Sequence, residues 1–377
     1  MKICIVAGAR PNFIKVAPII HAAQRAAQQG QPVAYDLVYT GLADDPTLEA
    51  TLFDNLEIPQ PNAYLGVDCP NLNELTGQVM SAFEHHLQTH PADVVIVVDD
   101  LASTMAAAIV TKKQGILLAH LVAGTRSFDI KMPKEINRLV IDGLSDLLFT
   151  AGIGSSSIAT REGAELSKIY MVGNILMDTL RHNRQRWQQP PIVDQLHLQP
   201  KDYLVFTLNR KALIADTPHL QALLSALLSA ANGTPIIAPL RPSAANVVRD
   251  IIKNISTTES NGVDAHFHIV PSLNYLQFGW LTKNALGIIT DSGNVAEEAT
   301  FNGVPCATLN SYTEHAETLR PGTNVLVGED PEQLALAVRN MVRHEWKASA
   351  LPDRWDGRTA ERIIQILLQL NNTDDEK

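Results

Sequence analysis

Short apolar runs alternate with longer segments of helical periodicity along the whole chain. This alternation is typical of βαβ units, in which a parallel sheet is covered by helices on both faces. In the first half it predicts strands at Lys2–Ala7, Tyr35–Tyr39, Val94–Val98, Leu117–Leu121, Leu147–Thr150 and Ile169–Val172. Helices are predicted between them at Phe13–Gln28, Pro46–Leu56, Leu72–Gln88, Ala102–Lys113, Lys134–Ser145 and Ser155–Glu165.

A polar stretch, Arg181–Asp202, interrupts this rhythm before a second series begins. Strands are then predicted at Tyr203–Thr207, Ile236–Ala238, Phe267–Ile269, Gly287–Thr290, Cys306–Leu309 and Asn324–Leu326. The accompanying helices are Ala222–Ala231, Ala244–Lys253, Ser272–Thr282, Val295–Asn302 and Pro331–Arg343. We therefore expect an α/β protein of two doubly wound Rossmann-like domains, residues 1–180 and 181–358, that face a cleft. A last helix, 359–370, is expected to pack back on the first domain.

Composition supports two globular domains and excludes several classes of protein. The chain has 377 residues, 45% of them hydrophobic, and a single core usually stops growing at about 250 to 300 residues. A net charge of −10 opposes non-specific attraction to nucleic acid or to an anionic membrane. Cys4, Cys69 and Cys306 lack metal-ligand spacing, and no apolar stretch is long enough to span a bilayer. We expect a cytoplasmic protein without a metal or another cofactor.

The first candidate site follows the first predicted strand. Gly8-Ala9-Arg10-Pro11 forms a turn before a helix that carries Lys15. Free N–H groups at such a turn, with Arg10 and Lys15 nearby, offer positive potential to an anion. A plain strand-to-helix turn with solvated basic residues explains the short motif equally well.

A second candidate site follows the strand Gly287–Thr290, which ends in Asp291-Ser292-Gly293-Asn294. Ser292 and Gly293 would let the backbone approach a pyrophosphate, and Glu298 in the next helix could accept hydrogen bonds from ribose hydroxyls. The alternative is a capped helix start, with Asp291 or Ser292 as the N-cap. The motif alone does not decide between them.

The strand Val94–Val98 ends in Asp99-Asp100. Carboxylates at the carboxyl end of a parallel strand face a ligand crevice, where one of them could act as a general acid or base. The alternative is a helix cap, which is the role that we expect for Asp99.

Taken together and in order, the motifs resemble the non-hydrolysing UDP-N-acetylglucosamine 2-epimerases, a family with a GT-B glycosyltransferase-like fold. The blocks that carry this resemblance are GARPNFIKVAP from Gly8, VVDDLAST from Val97, HLVAGTRS from His120, MPKEINRLV from Met132, VGN from Val172 and TDSGNVAEEA from Thr290. They extend over nearly the full chain and are far more specific together than any one alone.

The resemblance implies a reaction and a set of roles. Such enzymes eliminate UDP across C1 and C2 of the sugar and add it back with the opposite configuration at C2. Catalytic roles near the sugar fall to Lys15, Asp100 and Arg138. Binding roles for a UDP-sugar, UDP-GlcNAc or a related UDP-HexNAc, fall to Arg10, Asn209, Phe278, Ser292, Gly293, Asn294, Glu298 and His315. Family members are commonly homodimers and serve polysaccharide biosynthesis.

Several positions depart from the family pattern. Val122 and Lys134 stand where the family has glutamates, and Asn209 stands where it has a histidine. His315 replaces an arginine, and Asn294 replaces a glycine. Since one positioned acid or base contributes about 10²- to 10⁴-fold in rate, these changes bear on catalysis more than on binding.

Three hypotheses remain open from the sequence. The first is an epimerase that acts on a variant substrate or through an altered proton path, with Asp100 as the remaining carboxylate. The second is a catalytically impaired homologue that binds a UDP-sugar and regulates a partner. The third is a GT-B glycosyltransferase, which would need an acceptor site that the sequence does not reveal.

Overall fold

The protein is described by a computed structural model that covers residues 1–48, 50–259 and 263–374. The chain folds into two compact units. One unit comprises Met1–His182 and the chain from Asp353 onward, and the other comprises Asn183–Pro352. The chain returns to the first unit at Asp353, before the predicted helix, because the fully buried Trp355 belongs to that unit and donates from Nε1 to the carbonyl oxygen of Ala151 at 3.2 Å.

Seven strands form the sheet of the first unit: β1 Lys2–Ala7, β2 Ala34–Tyr39, β3 Ala63–Tyr64, β4 Val94–Val98, β5 Leu117–Ala123, β6 Leu147–Thr150 and β7 Ile169–Met171. Their order is β3-β2-β1-β4-β5-β6-β7, and all pairings are parallel. The five residues of β4, Val-Val-Ile-Val-Val, are all buried. Both faces of this central strand are covered, which explains why its sequence is a continuous apolar run.

Helices cover this sheet: α1 Arg10–Gln28, α2 Ala50–Leu56, α3 Leu72–Thr89, α4 Ala102–Lys113, α5 Pro133–Leu144, α6 Ile153–Arg161 and α7 Ile175–His182. The sequence pattern predicted the first six but not α7, which ends inside the stretch where a break was expected. The two-residue strand β3 was also too short to predict.

The second unit has a six-stranded parallel sheet: β8 Leu204–Phe206, β9 Ile236–Pro239, β10 Phe267–Val270, β11 Gly287–Thr290, β12 Cys306–Thr308 and β13 Asn324–Leu326. The order is β10-β9-β8-β11-β12-β13. Its helices are α8 Pro191–Gln195, α9 Lys211–Ala215, α10 Thr217–Ala231, α11 Pro242–Glu259, α12 Tyr275–Lys283, α13 Gly293–Asn302 and α14 Pro331–Val342. The predicted class, two doubly wound α/β domains of GT-B type, is confirmed.

The last helix, α15 Thr359–Asp374, packs against α1 and α7 of the first unit. Its first N–H groups are held by Asp178 of α7, whose carboxylate accepts from Thr359 at 2.9 Å and from Ala360 at 3.3 Å. Burial nevertheless raises the pKa of Asp178 to about 6. None of the helices in the described ranges has the length and apolar character that crossing a bilayer requires.

Candidate functional site

In each sheet, the strand order reverses between two neighbouring strands, and such a switch point is where doubly wound folds place ligands. In the first sheet these strands are β1 and β4, so the turn at Gly8 and the pair Asp99-Asp100 lie at adjacent strand ends. In the second sheet they are β8 and β11, so Asn209 and the segment from Asp291 follow adjacent strands. The predicted candidate segments thus lie at the switch points.

Lys15 and Asp99 form an ion pair at the first switch point. The ammonium of Lys15 lies 2.5 Å from Oδ1 of Asp99, and the side-chain amide of Asn12 donates to Oδ2 at 2.9 Å. The expected cap role of Asp99 is wrong, because Leu101 is the N-cap of α4 and has no side-chain cap bond. The carboxylate of Asp99 is instead turned toward α1, where it fixes Lys15.

The turn at Gly8 offers fewer donors than expected. The N–H groups of Gly8 and Ala9 both donate to Oδ1 of Asn12, at 2.9 and 3.2 Å, so they are not free for a ligand. Gly8 serves packing instead, since a Cβ there would lie 2.2 Å from Oγ of Ser103. Arg10, in contrast, is half-buried and makes no side-chain hydrogen bond within the described residues, which leaves its guanidinium available to an anion.

Asp100 is held by cations from α5. Nε and a terminal nitrogen of Arg138 lie 2.8 and 2.6 Å from its Oδ2, and Nζ of Lys134 lies 3.5 Å from its Oδ1. The side-chain amide of Asn137 donates to its backbone oxygen at 2.8 Å. The carboxylate is 11% exposed, so Asp100 is oriented, charge-compensated and still within reach of a small molecule.

Glu135, next to Lys134 in the sequence, holds the loop that precedes α5. Its carboxylate accepts from the N–H and hydroxyl of Ser127 and from the N–H of Phe128, and it pairs with Arg138 at 3.1 Å. Burial alone would raise its pKa, but the bonds from Ser127, Phe128 and Arg138 lower it below the ordinary value. Glu135 anchors the preceding loop and does not replace a carboxylate at position 134.

A buried network behind the switch point fixes the carbonyl of Asp99. His120 on β5 bonds Asp142 through Nδ1 at 2.5 Å and contacts the backbone oxygen of Asp99 through Nε2 at 2.9 Å. Arg126 joins Asp142 to Glu162, with distances of 2.7 and 2.5 Å. Burial raises the pKa of Asp142, yet His120 and Arg126 outweigh it and hold that pKa below the ordinary value. The sequence did not single out Asp142 or Glu162, because their partners are distant along the chain.

The second switch point excludes the capping alternative for Asp291. Its Oδ2 accepts from the N–H groups of Asn209 and Arg210, at 2.7 and 2.5 Å, and so ties the loop after β8 to the loop after β11. Ser292 is the N-cap of α13 by position, but its side chain makes no cap bond. Its hydroxyl has no hydrogen-bond partner in the part of the chain that the structure describes, which leaves it available to a ligand.

The first turn of α13 is open. Gly293 and Asn294 are exposed, and a Cβ built on Gly293 would find nothing within 4 Å. The turn carries no acidic side chain. N–H groups at a helix start with an open approach and no competing carboxylate suit a phosphate group.

Glu298 lies one turn further along α13 and is 8% exposed. Burial, with a smaller contribution from the neighbouring Glu297 charge, raises its pKa to about 8. Tyr275 is close enough for the Glu298 charge to add to the effect of burial in raising the pKa of its phenol, and the Tyr275 hydroxyl has no hydrogen-bond partner among the described residues. A neutral carboxyl and an unused hydroxyl are thus available to further hydrogen-bonding groups.

The other residues predicted to bind a UDP-sugar in the second unit are His315, Phe278 and Asn209. His315 lies beside α13, with Nε2 3.3 Å from Oε1 of Glu297. Phe278 on α12 packs half-buried against the core. Asn209 is exposed. No group of three His, Cys, Asp or Glu side chains in residues 1–48, 50–259 and 263–374 is arranged to hold a metal ion.

Comparison with known proteins decides the family. A family model described as UDP-N-acetylglucosamine 2-epimerase matches residues 25–368. The chain belongs to the UDP-N-acetylglucosamine 2-epimerase family. A Methanocaldococcus jannaschii UDP-N-acetylglucosamine 2-epimerase is 31% identical over 374 residues, which cover 97% of this chain and 99% of the relative. A Pseudomonas aeruginosa UDP-2,3-diacetamido-2,3-dideoxy-D-glucuronate 2-epimerase is 31% identical over 343 residues, or 90% and 92% of the two chains.

The fold also matches that of a solved structure from this family. The M. jannaschii UDP-GlcNAc 2-epimerase in complex with UDP-GlcNAc and UDP superimposes with a TM-score of 0.78 at 32% identity, and the match covers 97% of this chain and 99% of that chain. Fold and family therefore extend over both units of the chain.

Val122, where the sequence resemblance implies a glutamate, lies at an irregular point of β5. Val122 has φ = +73°, at a register shift between Leu121 and Ala123 where β5 pairs with β6. A β-branched residue is strained in this left-handed region. The chain therefore bends at this position with an apolar side chain, Val122, in the strained conformation.

Proposed function

We propose that this epimerase-family protein binds a UDP-sugar and catalyses the 2-epimerisation of a UDP-HexNAc. The observation that carries the proposal is the start of α13, where Ser292 has a free hydroxyl, Gly293 faces open space and a neutral Glu298 follows. The family match over both units, and the UDP and UDP-GlcNAc bound by the M. jannaschii relative, support it.

In the second unit, the UDP site is assigned to residues around α13. Ser292, Gly293 and Asn294 offer hydroxyl and N–H donors to the diphosphate, and Glu298 offers its carboxyl to the ribose. Because Glu298 is largely protonated at neutral pH, it can both donate to and accept from a diol without repelling the phosphates. Phe278 is assigned to the uracil ring.

Asn209 and His315 complete the proposed UDP site. Asn209 is held next to β11 through its N–H bond to Asp291, so its side-chain amide can reach a phosphate oxygen. His315 is assigned to the diphosphate and is held by Glu297.

In the first unit, the chemistry on the sugar is assigned to Asp100, Lys15 and Arg138. Asp100 takes the proton from C2 as the C1–O bond breaks and UDP leaves with the electron pair. A solvent-derived proton then adds to the opposite face of C2 as UDP bonds again to C1. Arg138 orients Asp100 through two bonds. Lys15, positioned by Asp99, and Arg10 supply positive charge to the departing diphosphate.

We propose a cytoplasmic homodimer that serves polysaccharide biosynthesis. Free cysteines at positions 4, 69 and 306 suit a reducing compartment. The exposed Phe128, Ile130, Ile136 and Leu139 on the first unit offer apolar surface for a second copy, and sedimentation analysis tests that assembly.

A calorimetric titration with UDP tests the nucleotide site. Gly293→Val adds a side chain where the unliganded protein has open space, so the fold should tolerate it while the approach of a phosphate is blocked. We expect UDP affinity to fall at least about tenfold, the loss of one good phosphate contact. Gly77→Val, at another glycine with open space, is the matched control and should bind UDP normally. Unchanged affinity in Gly293→Val would refute the assignment.

A further inference from the structure

Lys134 has hydrogen-bonding capacity that its single contact does not use. It is the second residue of α5, its side chain is 58% exposed, and Nζ lies 3.5 Å from Oδ1 of Asp100. An ammonium group has three donors, and no other partner of Lys134 occurs among the described residues. An exposed pair at this distance contributes little to stability, so structural support does not account for this cation.

The charged side chains around Lys134 compensate one another. Arg138 serves both Asp100 and Glu135, and Glu135 is further occupied by the loop at Ser127. Asp100 and Glu135 give two negative charges, and Lys134 and Arg138 give two positive charges, so the cluster is neutral. A glutamate at position 134 would change the sum to three negative charges against one positive, a net charge of −2, which repels an anion.

We propose that Lys134 binds a carboxylate on the sugar, so that the substrate class is a UDP-HexNAc uronate rather than a neutral UDP-HexNAc. This inference rests on the proposed function, which places the sugar at Asp100. The ammonium that contacts Asp100 from one side presents its remaining donors outward, and a carboxylate is the sugar substituent that gains most from them. A primary hydroxyl at the same position forms only a weaker, neutral-acceptor bond.

The role assigned to Lys134 is therefore selection among sugars, distinct from the holding of UDP. Its removal should change the discrimination between two ligands that differ only at C6 and leave the affinity for UDP itself unchanged. A purely structural contact with Asp100 would affect both sugars alike.

The test compares three probes by calorimetry at low ionic strength: UDP, UDP-GlcNAc and UDP-N-acetylglucosaminuronate. We expect the wild-type protein to bind the uronate about tenfold more tightly than UDP-GlcNAc, as one charge-assisted contact allows. Lys134→Gln should abolish the preference, and Lys134→Glu should reverse it. Lys113→Gln, an exposed lysine at the far end of α4, should retain it.

The outcomes distinguish the role of Lys134 from the binding of UDP. UDP binding without any preference for the uronate overturns the role of Lys134 and leaves the proposed function standing. A preference that persists in Lys134→Gln also overturns that role. Failure of the wild-type protein to bind UDP removes the proposed function, and the inference falls with it.

Discussion

The buried carboxyl of Glu298 gives the second unit a pH dependence whose sign is fixed. Burial raises its pKa to about 8 from an ordinary value of 4.5, so the folded chain retains a proton here that the unfolded chain has lost. The unfolding free energy must therefore fall as the pH rises through this window, because the unfolded state binds fewer protons. Replacement by the neutral Glu298→Gln should remove this dependence.

The magnitude follows from the difference between the two pKa values. One pKa unit corresponds to about 1.4 kcal/mol, so the cost of Glu298 at pH 7 is on the order of 3 kcal/mol. Above pH 8 it approaches about 5 kcal/mol, an upper bound if water enters. We expect Glu298→Gln to be within about 1 kcal/mol of the wild-type protein at pH 5 and to be more stable by roughly 3 to 5 kcal/mol at pH 9.

Urea unfolding followed by tryptophan fluorescence measures this difference. Trp187, Trp280 and Trp346 lie in the second unit, and only Trp355 of the four tryptophans lies in the first. The signal therefore reports mainly on the unit that contains Glu298. Other groups titrate in both proteins alike, so the difference curve isolates this carboxyl.

The exposed Glu345→Gln is the control for removal of one negative charge from the same unit, and its stability should follow that of the wild-type protein at every pH. An advantage of Glu298→Gln that is the same at pH 5 and pH 9, or that is absent at pH 9, would show that Glu298 is ionised in the folded protein.

Three further substitutions test the first unit by chemical denaturation. Val122→Gly should raise the unfolding free energy by about 1 kcal/mol, because glycine adopts φ = +73° without strain; a loss of stability contradicts the strain argument. Asp178→Ala should be less stable than Asp178→Asn by about 1 kcal/mol, because both variants remove the buried carboxyl and only asparagine keeps an acceptor for the first N–H groups of α15. Arg126→Met should lower the unfolding free energy by about 3 to 5 kcal/mol, because the buried Asp142 loses one of its charged partners. A loss below about 1 kcal/mol, typical of an exposed ion pair, would argue against this network.

Most strands could be predicted because a buried strand leaves an apolar pattern within a few consecutive residues. A strand buried on both faces must be a continuous apolar run, and β4 and β11 were predicted with the bounds that the structure shows. The strand β3 pairs through only two residues, which leaves no pattern to detect. The helix α7 was missed because its end coincides with the polar stretch that indicated a domain boundary.

The positions of the candidate residues were predictable, but their partners were not. Strand ends at a switch point follow from topology, so Asp99 and Asp291 could be placed from the sequence. From the sequence, both carboxylates could be helix N-caps, because a cap contacts only residues that are near in the chain. Asp99 instead meets Lys15 from 84 positions away, and Asp291 meets the N–H of Asn209 from 82 positions away. Contacts of that range depend on packing, which periodicity does not reveal.

Proton exchange at C2 of a UDP-HexNAc in D₂O, followed by ¹H NMR, tests 2-epimerisation by this protein most directly. With UDP-GlcNAc and its uronate as substrates, the account predicts loss of the C2 proton signal in at least one of them, together with the appearance of the C2 epimer. The combined variant Val122→Glu, Lys134→Glu and Asn209→His carries the residues that the sequence resemblance implies at these positions, and we expect it to act on UDP-GlcNAc. Retention of the C2 proton in both sugars by the wild-type protein, over an incubation in which UDP binding is shown, would contradict epimerisation.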